Sequence, residues 1–199
     1  MAERSLANRL LDRSDCLLLV IDAQSAFYGV AGEPEGLRIA LDRAAWLAGV
    51  ATALGVPAVV TEEDATRNGP TAARILAALP SDVPVYDKAV FGAADAPQIL
   101  VGLEATGRRS AVLVGLETDV CVSQTALGLL DRGWRVAAVA DATFAPGDTH
   151  AAGLRRMSDA GAVILHAKGV YYEWIRTLES ARAFELEHSA LKDPPGFKL

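Results

Sequence analysis

Cysteine is scarce in this sequence, and the two copies are not spaced for cross-linking or zinc binding. Cys16 and Cys121 lie far apart in a chain of 199 residues, and no Cys-x-x-Cys pair or Cys/His cluster accompanies them. Disulfide frameworks and structural zinc sites both need several bridging or ligating residues at short spacing. The sequence therefore indicates neither kind of stabilised fold.

Long hydrophobic runs are also missing, which argues against a membrane-spanning helix. The apolar stretches are short and are interrupted by charge or glycine, whereas a bilayer crossing needs about 20 apolar residues in succession. The opening segment, MAERSLANRLLDRSD, lacks the apolar block and small-residue cleavage site of a signal peptide. We therefore expect a cytoplasmic protein with no membrane partner.

Positive charge is in deficit as well. Lys and Arg number 19 against 25 Asp and Glu, which gives a net charge of −6, and the basic residues form no stripe. A chain with this balance repels phosphate backbones, so nucleic acid is not an expected partner.

The sequence does contain enough apolar material for one core. Hydrophobic residues make up 51% of a chain whose length suits one domain, and no linker or repeat divides it. We expect residues 1–199 to form a single domain, with a core over about 16–168 and a C-terminal helix and tail over 170–199.

Short apolar runs alternate with segments of helical periodicity. The predicted strands are Cys16–Ile21, Pro57–Thr61, Val83–Tyr86, Ala111–Leu116, Arg135–Ala140 and Ala162–Leu165. The predicted helices are Glu35–Leu54, Thr71–Leu79, Ala96–Thr106, Val120–Arg132, Thr149–Ala160 and a last one over Glu173–Glu187. Continuous apolar strands in βα alternation predict a Rossmann-like, three-layer α/β/α sandwich with a mostly parallel sheet of about six strands.

Titratable residues follow three of the predicted strands. Asp22 comes after the first strand, Lys88 after the third and Cys121 after the fourth. Ligand sites in open parallel sheets form at the carboxyl ends of the strands, so we expect these side chains to converge. A helix N-terminus and a neighbouring lysine stabilise a thiolate. The pattern predicts a Cys121 nucleophile, an Asp22 general base and a Lys88 that holds the Asp22 charge.

Each of these residues also has an ordinary structural interpretation. A cysteine is commonly a small buried apolar residue, an aspartate after a strand commonly caps a turn, and a lysine commonly lies on the surface. A dinucleotide-binding oxidoreductase fits less well, because no G-x-G-x-x-G follows the first strand. A serine hydrolase fits less well, because the sequence contains no G-x-S-x-G.

The motifs around these residues resemble those of the isochorismatase-like cysteine hydrolases, particularly the isochorismatase domain-containing group. The resemblance covers about Cys16 to Lys168 and rests on DAQSAF at 22–27, Lys88 with Phe91, GLETDVCVSQTA at 115–126, LLDRG at 129–133 and VADA at 139–142. It implies the fold of that family and an Asp22, Lys88, Cys121 triad that forms a thioester. It also implies a cis peptide between Leu116 and Glu117, and an oxyanion hole made by the backbone N–H groups of Glu117 and Cys121.

The sequence departs from two related enzyme types. Nicotinamidases bind a metal through histidines that follow the first two strands, but the matching stretches here, Tyr28–Gly36 and Glu62–Pro70, contain none. The histidines are His150, His166 and His188, so we expect no catalytic metal and no cofactor. True isochorismatases lack the cysteine nucleophile, so Cys121 argues against that reaction.

We assign Gln24, Phe27, Glu62, Phe91 and Thr118 to the substrate pocket. Glu62 belongs to the acidic run Glu62-Glu63-Asp64 and can accept hydrogen bonds from a substrate amino or ureido group, although such a run is commonly a solvated turn. The two phenylalanines can form pocket walls or belong to the core.

The sequence predicts a metal-independent cysteine hydrolase that cleaves a C–N bond of a small amide, N-carbamoyl or ureido compound. The alternative is a non-catalytic module that binds a small molecule or a protein partner on the same fold. The segment Tyr171-Tyr172-Glu173-Trp174 and the helix that follows it supply aromatic and apolar surface for a homo-oligomer.

Overall fold

Six parallel strands form one sheet at the centre of the molecule. The computed structural model describes residues 9–24, 26–28 and 33–196. Within these ranges the strand order is β3-β2-β1-β4-β5-β6. The strands are β1 (Cys16–Ile21), β2 (Ala58–Glu63), β3 (Val85–Lys88), β4 (Ser110–Leu116), β5 (Arg135–Phe144) and β6 (Val163–Leu165). The predicted fold class is confirmed.

Helices pack on both faces of this sheet and bury two separate cores. Their bounds are α1 (Glu35–Ala53), α2 (Ala65–Asn68), α3 (Ala73–Leu76), α4 (Pro97–Ala105), α5 (Ser123–Asp131), α6 (Thr149–Asp159), α7 (Ala167–Ile175) and α8 (Leu178–Glu187). Helices α1, α3, α7 and α8 contribute to one core, and α4, α5 and α6 to the other. In the described ranges, none of the helices combines the length and apolar character that crossing a bilayer requires.

The strand order reverses between β1 and β4, which positions the site. From β1 the chain continues to β2 and β3 on one side, and the later strands extend the sheet on the other. The crevice at such a reversal lies outside the carboxyl ends of the strands. Asp22 follows β1 directly, and Glu117 follows β4, so both residues lie at this crevice.

A close approach between β1 and β4 requires glycine at the end of β4. Gly115 is paired with Ile21 and has a φ of 118°. A Cβ atom at this position would lie 1.9 Å from the carbonyl oxygen of Ile21. No L side chain fits here without a backbone shift, so Gly115 fixes how tightly the two central strands pack beside the site.

Several predicted elements differ from the observed ones because tertiary contacts decide where elements end. Strand β2 continues two residues past Thr61, since Glu62 and Glu63 pair with β3. The segment predicted as a helix over Thr71–Leu79 has only a single helical turn. The predicted last helix is divided in two at Arg176, whose φ of 71° ends α7, and the Thr177 side chain accepts a hydrogen bond at the start of α8.

Candidate active site

Asp22 is a fully buried carboxylate held at the end of β1. Its backbone has a φ of 44°, in the left-handed region that Asp tolerates better than most residues. Its N–H donates to the Thr61 carbonyl at 2.9 Å, and its Oδ1 accepts from the Thr61 hydroxyl at 2.8 Å. Neighbouring β2 thus fixes both the backbone and the side chain of Asp22.

Lys88 is the cation beside Asp22. Its Nζ lies 2.7 Å from Asp22 Oδ2, and neither side chain is exposed to solvent. The same Nζ donates to the carbonyl oxygens of Val90 at 2.9 Å and Phe91 at 3.0 Å. An ammonium carries three protons, and three acceptors surround this one. The side chain is therefore held rigidly against Asp22.

Cys121 lies in a single π-helical turn, Thr118–Val122, rather than at the start of a regular α-helix. The Val122 N–H donates to the Glu117 carbonyl at 3.1 Å, and α5 begins at Ser123. Isolated π turns occur frequently at functional sites. The predicted α-helix over Val120–Arg132 is thus wrong in its first three residues, where the π turn presents the thiol to the sheet edge.

The thiol faces two carboxylates. Cys121 Sγ donates to Glu63 Oε2 at 3.4 Å. One ligand atom each from Asp22, Glu63 and Cys121 lies within 4.8 Å of the others. Asp22, Lys88 and Cys121 are therefore near one another. Glu63, for which no separate role was predicted, lies beside them.

Burial dominates the protonation of this cluster. It raises the pKa of Asp22, against the opposing effects of the Lys88 charge and of hydrogen bonds. Burial also raises the pKa of the Cys121 thiol, and the Asp22 charge raises it further, while Lys88 lowers it. The thiolate expected from the sequence is therefore opposed by burial and by the Asp22 charge, and it stays a prediction. Burial likewise raises the pKa of Cys16, to about 11.

A cavity of about 280 Å³ opens onto Cys121. Its lining residues are Phe27, Glu63, Phe91, Glu117, Val120 and Cys121. The structure therefore places both predicted wall residues, Phe27 and Phe91, beside the thiol. Glu117 also lines the cavity, and its Oε1 accepts from the Tyr28 hydroxyl at 2.8 Å. The peptide bond between Leu116 and Glu117 is cis, as the resemblance implies.

Glu62 is not among the residues that line this cavity, and its predicted role in substrate binding stays a prediction. Its Oε1 accepts from the Thr71 N–H at 2.7 Å, in a buried contact. Adjacent residues of a strand point to opposite faces, so the next residue, Glu63, turns towards the thiol. The signal for Glu63 is the alternation of side chains along a strand: if the predicted strand continues past Thr61, then Thr61 and Glu63 lie on the same face.

Gln24 and Thr118 are likewise absent from the cavity lining, and each has a partner within the protein. The Gln24 amide bonds the backbone of Glu63 and the Gly69 carbonyl. The Thr118 hydroxyl lies 2.8 Å from His150 Nδ1, and burial lowers the pKa of His150. Both predicted pocket residues thus hold parts of the protein in place. No motif in the sequence indicates the contact between Thr118 and His150.

Asp22, Glu63 and Cys121 each offer a possible metal-ligand atom. Lys88 already places a positive charge 2.7 Å from Asp22, and a second cation bound to the same carboxylate would be repelled by that charge. That no metal takes part in the reaction stays a prediction.

Sequence and structure comparisons both find relatives along most of the chain. The isochorismatase domain model matches residues 16–168. The secreted isochorismatase effector Isc1 of Phytophthora sojae is 32% identical over 181 residues, which cover 87% of this chain and 84% of that protein. Isochorismatase domain-containing protein 2 of Bos taurus is 32% identical over 176 residues, covering 87% and 81%.

A solved structure extends the comparison to the whole fold. The YcaC gene product of Escherichia coli, described as an octameric hydrolase of unknown specificity, superposes with a TM-score of 0.81 at 25% identity. The match covers 92% of this chain and 93% of that one. The site at the β1/β4 crevice thus lies in a chain that belongs to the isochorismatase family of hydrolases.

Proposed function

We propose that this protein is a cysteine hydrolase that cleaves a C–N bond of a small amide, N-carbamoyl or ureido compound, with Cys121 as the nucleophile. One observation carries the proposal. A thiol facing an open cavity lies within 4.8 Å of a buried carboxylate that is itself held by a buried lysine. A nucleophile, a base and a group that orients the base are the parts that covalent catalysis needs.

In the first half-reaction, Asp22 accepts the Cys121 proton as Sγ attacks the carbonyl carbon. The raised pKa of Asp22 suits it to hold this proton, and the raised pKa of Cys121 makes a base necessary. The tetrahedral intermediate collapses when the C–N bond breaks and Asp22 gives the proton to the departing nitrogen. The products of this step are an amine or ammonia and a thioester.

In the second half-reaction, water hydrolyses the thioester. Asp22 accepts a proton from the water as its oxygen attacks the thioester carbon, and the C–S bond then breaks. The proton returns to Sγ, which restores the thiol and releases the acid product. Lys88 is a positioning residue throughout, because its three contacts keep the Asp22 carboxylate in one place.

The backbone N–H groups of Glu117 and Cys121 form the oxyanion hole in this proposal. The resemblance suggests this role, and both residues line the cavity. Two preorganised donors aimed at the developing oxyanion stabilise the transition state by several kcal/mol.

A non-catalytic binding module is the second candidate. The raised thiol pKa favours it, since a protonated and mostly buried thiol is a poor nucleophile without a base. This candidate predicts a ligand in the same cavity and no turnover.

We further propose a small-molecule substrate, no nucleic-acid or membrane partner, a cytoplasmic location and a homo-oligomeric state. The octameric state of YcaC supports the last of these. Because the relative from Phytophthora sojae is described as secreted, the cytoplasmic location should be tested directly by fractionation of cells that express the protein.

Ammonia release from primary amides, N-carbamoyl amino acids and alkyl ureas tests the function. We expect hydrolysis of at least one class, loss of activity of at least about a thousandfold in Cys121→Ala, and full activity in the matched variant Cys16→Ala. A thioester of Cys121 trapped by acid quench would identify the intermediate by mass. Turnover that survives in Cys121→Ala would contradict the mechanism.

A further inference from the structure

Two acidic residues line the cavity, and no cation in the part of the chain that the structure describes is paired with either of them. Glu63 and Glu117 both line it, and neither forms an ion pair within the described ranges 9–24, 26–28 and 33–196. Lys88 does not balance them, because its ammonium already contacts Asp22 and two carbonyl oxygens. The cavity therefore carries excess negative charge next to the thiol.

The chain fixes Glu63 in place at the thiol. The buried Gln24 side chain accepts from the Glu63 N–H at 2.8 Å and donates to its carbonyl at 3.2 Å. Asn68 donates to the same carbonyl at 2.8 Å. The side chain of a residue in a solvated turn needs no such hydrogen bonds. These contacts therefore position the Glu63 carboxylate, whose Oε2 lies 3.4 Å from Cys121 Sγ.

The remaining walls suit an organic cation. Phe27 and Phe91 line the cavity, and the faces of aromatic rings attract ammonium and guanidinium groups. A neighbouring cavity of about 330 Å³ shares Glu63 and Phe91 and is also lined by Asp64, Asp87 and Lys88, and the Lys88 ammonium is held by Asp22. Acidic and aromatic residues thus line both cavities.

We infer that the substrate carries a positive charge, such as an ammonium, amidinium or guanidinium group, close to the bond that is cleaved, and that Glu63 determines this specificity. The short distance from Glu63 to Sγ places the charge within a few bonds of the carbon that Sγ attacks. The claim that the substrate carries a positive charge rests on the proposed function. The claim that the cavity favours a cation does not depend on catalysis.

Charged thiol reagents test the inference without a known substrate. The probes are 2-aminoethyl methanethiosulfonate, a cation, and 2-sulfonatoethyl methanethiosulfonate, an anion. In each reaction the thiolate attacks sulfur, a disulfide forms and methanesulfinate leaves. Mass spectrometry of the Cys121 peptide gives the two second-order rate constants, in buffer with a chelator so that no metal contributes. Their ratio cancels the thiolate fraction, because both probes react with the same thiolate.

We expect the cation-to-anion ratio at Cys121 to exceed that of N-acetylcysteine, and to fall about tenfold in Glu63→Gln. The control Glu104→Gln removes the same charge from an exposed helix position and should leave the ratio unchanged. Glu63→Asp keeps the charge but withdraws it by one methylene, so an intermediate ratio is expected. This variant also serves if Glu63→Gln does not fold.

A ratio equal to that of N-acetylcysteine, or one unaffected by both Glu63 variants, would overturn the inference. Neither result bears on whether Cys121 hydrolyses amides. Conversely, a ratio that depends on Glu63 in a protein that hydrolyses nothing would support the cation site and refute the hydrolase. The failure of one is therefore distinguishable from the failure of the other.

Discussion

At the scale of single residues, Asp22 has two opposing effects on Cys121. Its negative charge raises the pKa of the thiol and so disfavours the thiolate. Its carboxylate is also the base that would accept the thiol proton during attack. A residue that only stabilised a thiolate would instead lower the pKa of the thiol. The effect of Asp22 on this pKa and its role as the base can therefore be measured separately.

Asp22→Asn should make the resting thiol more acidic while abolishing turnover. Removal of the Asp22 charge lowers the pKa of Cys121, because that charge is the second largest cause of its rise after burial. The pH profile of iodoacetamide alkylation, followed at the Cys121 peptide, should therefore move to lower pH. Loss of the base should reduce turnover by about 10² to 10⁴-fold.

Lys88→Met should shift the same alkylation profile of Cys121 in the opposite direction. Lys88 lowers the pKa of Cys121, so its loss should move the alkylation profile to higher pH. Profiles that move in the same direction in both variants would contradict the electrostatic account of the site.

At the scale of secondary-structure elements, the Asp22–Lys88 ion pair joins the ends of β1 and β3 across β2. Both side chains are fully buried, so removal of one partner leaves an uncompensated charge in the interior. Lys88→Met should lower the free energy of unfolding by about 3 to 5 kcal/mol. The double variant Asp22→Asn/Lys88→Met should lose less than the single one, as measured by urea denaturation. Losses that simply add would show that the pair is not coupled.

Gly115 tests how closely β1 and β4 must pack. Gly115→Ala places a Cβ atom 1.9 Å from the Ile21 carbonyl oxygen, so the central strands must separate. We expect a loss above about 4 kcal/mol in the free energy of unfolding, in the range reserved for severe substitutions.

The matched control is Gly55→Ala. Gly55 also has a positive φ, 67°, but nothing lies within 4 Å of a Cβ added there. This variant should lose only about 1 to 2 kcal/mol from backbone strain. Equal losses in the two variants would mean that φ alone, and not the approach of β1, requires glycine at 115.

At the scale of the whole molecule, the surface expected to support association is only partly available. Tyr171 and Trp174 are buried in the core, so they do not form an interface, whereas Tyr172 is 41% exposed. The most exposed large apolar side chains of the C-terminal region are Leu178 and Leu186 of α8, at 75% and 87%. Of the surface predicted for association, the helix after the aromatic segment, α8, is therefore the part that stays exposed, together with Tyr172.

The predicted homo-oligomer should have a solution mass that is an integral multiple, of at least two, of the mass of one chain. Multi-angle light scattering at micromolar concentration measures this directly. Leu178→Glu together with Leu186→Glu should reduce the mass if α8 forms the interface, because burying two carboxylates is unfavourable. A single-chain mass for the unmodified protein would contradict the prediction.

The sequence by itself determined the parallel α/β sheet and which strands end at the site. Continuous apolar runs and intervening helical segments depend on local periodicity, so β1 was predicted with its observed bounds and β4 within one residue. For the same reason Asp22, Lys88 and Cys121, each near the end of a strand, were expected to meet. The motif around Cys121 added the family and the cis peptide.

Only the tertiary structure decided which acidic residue faces the thiol and which contacts shift the pKa of that thiol. Glu62 and Glu63 look alike in the sequence, and pairing of β2 with β3 beyond Thr61 selects Glu63. The protonation of Cys121 depends on how fully the fold removes water from it, and burial outweighs the stabilising Lys88 charge. Register and desolvation arise from contacts between residues distant in the chain, which local periodicity does not encode.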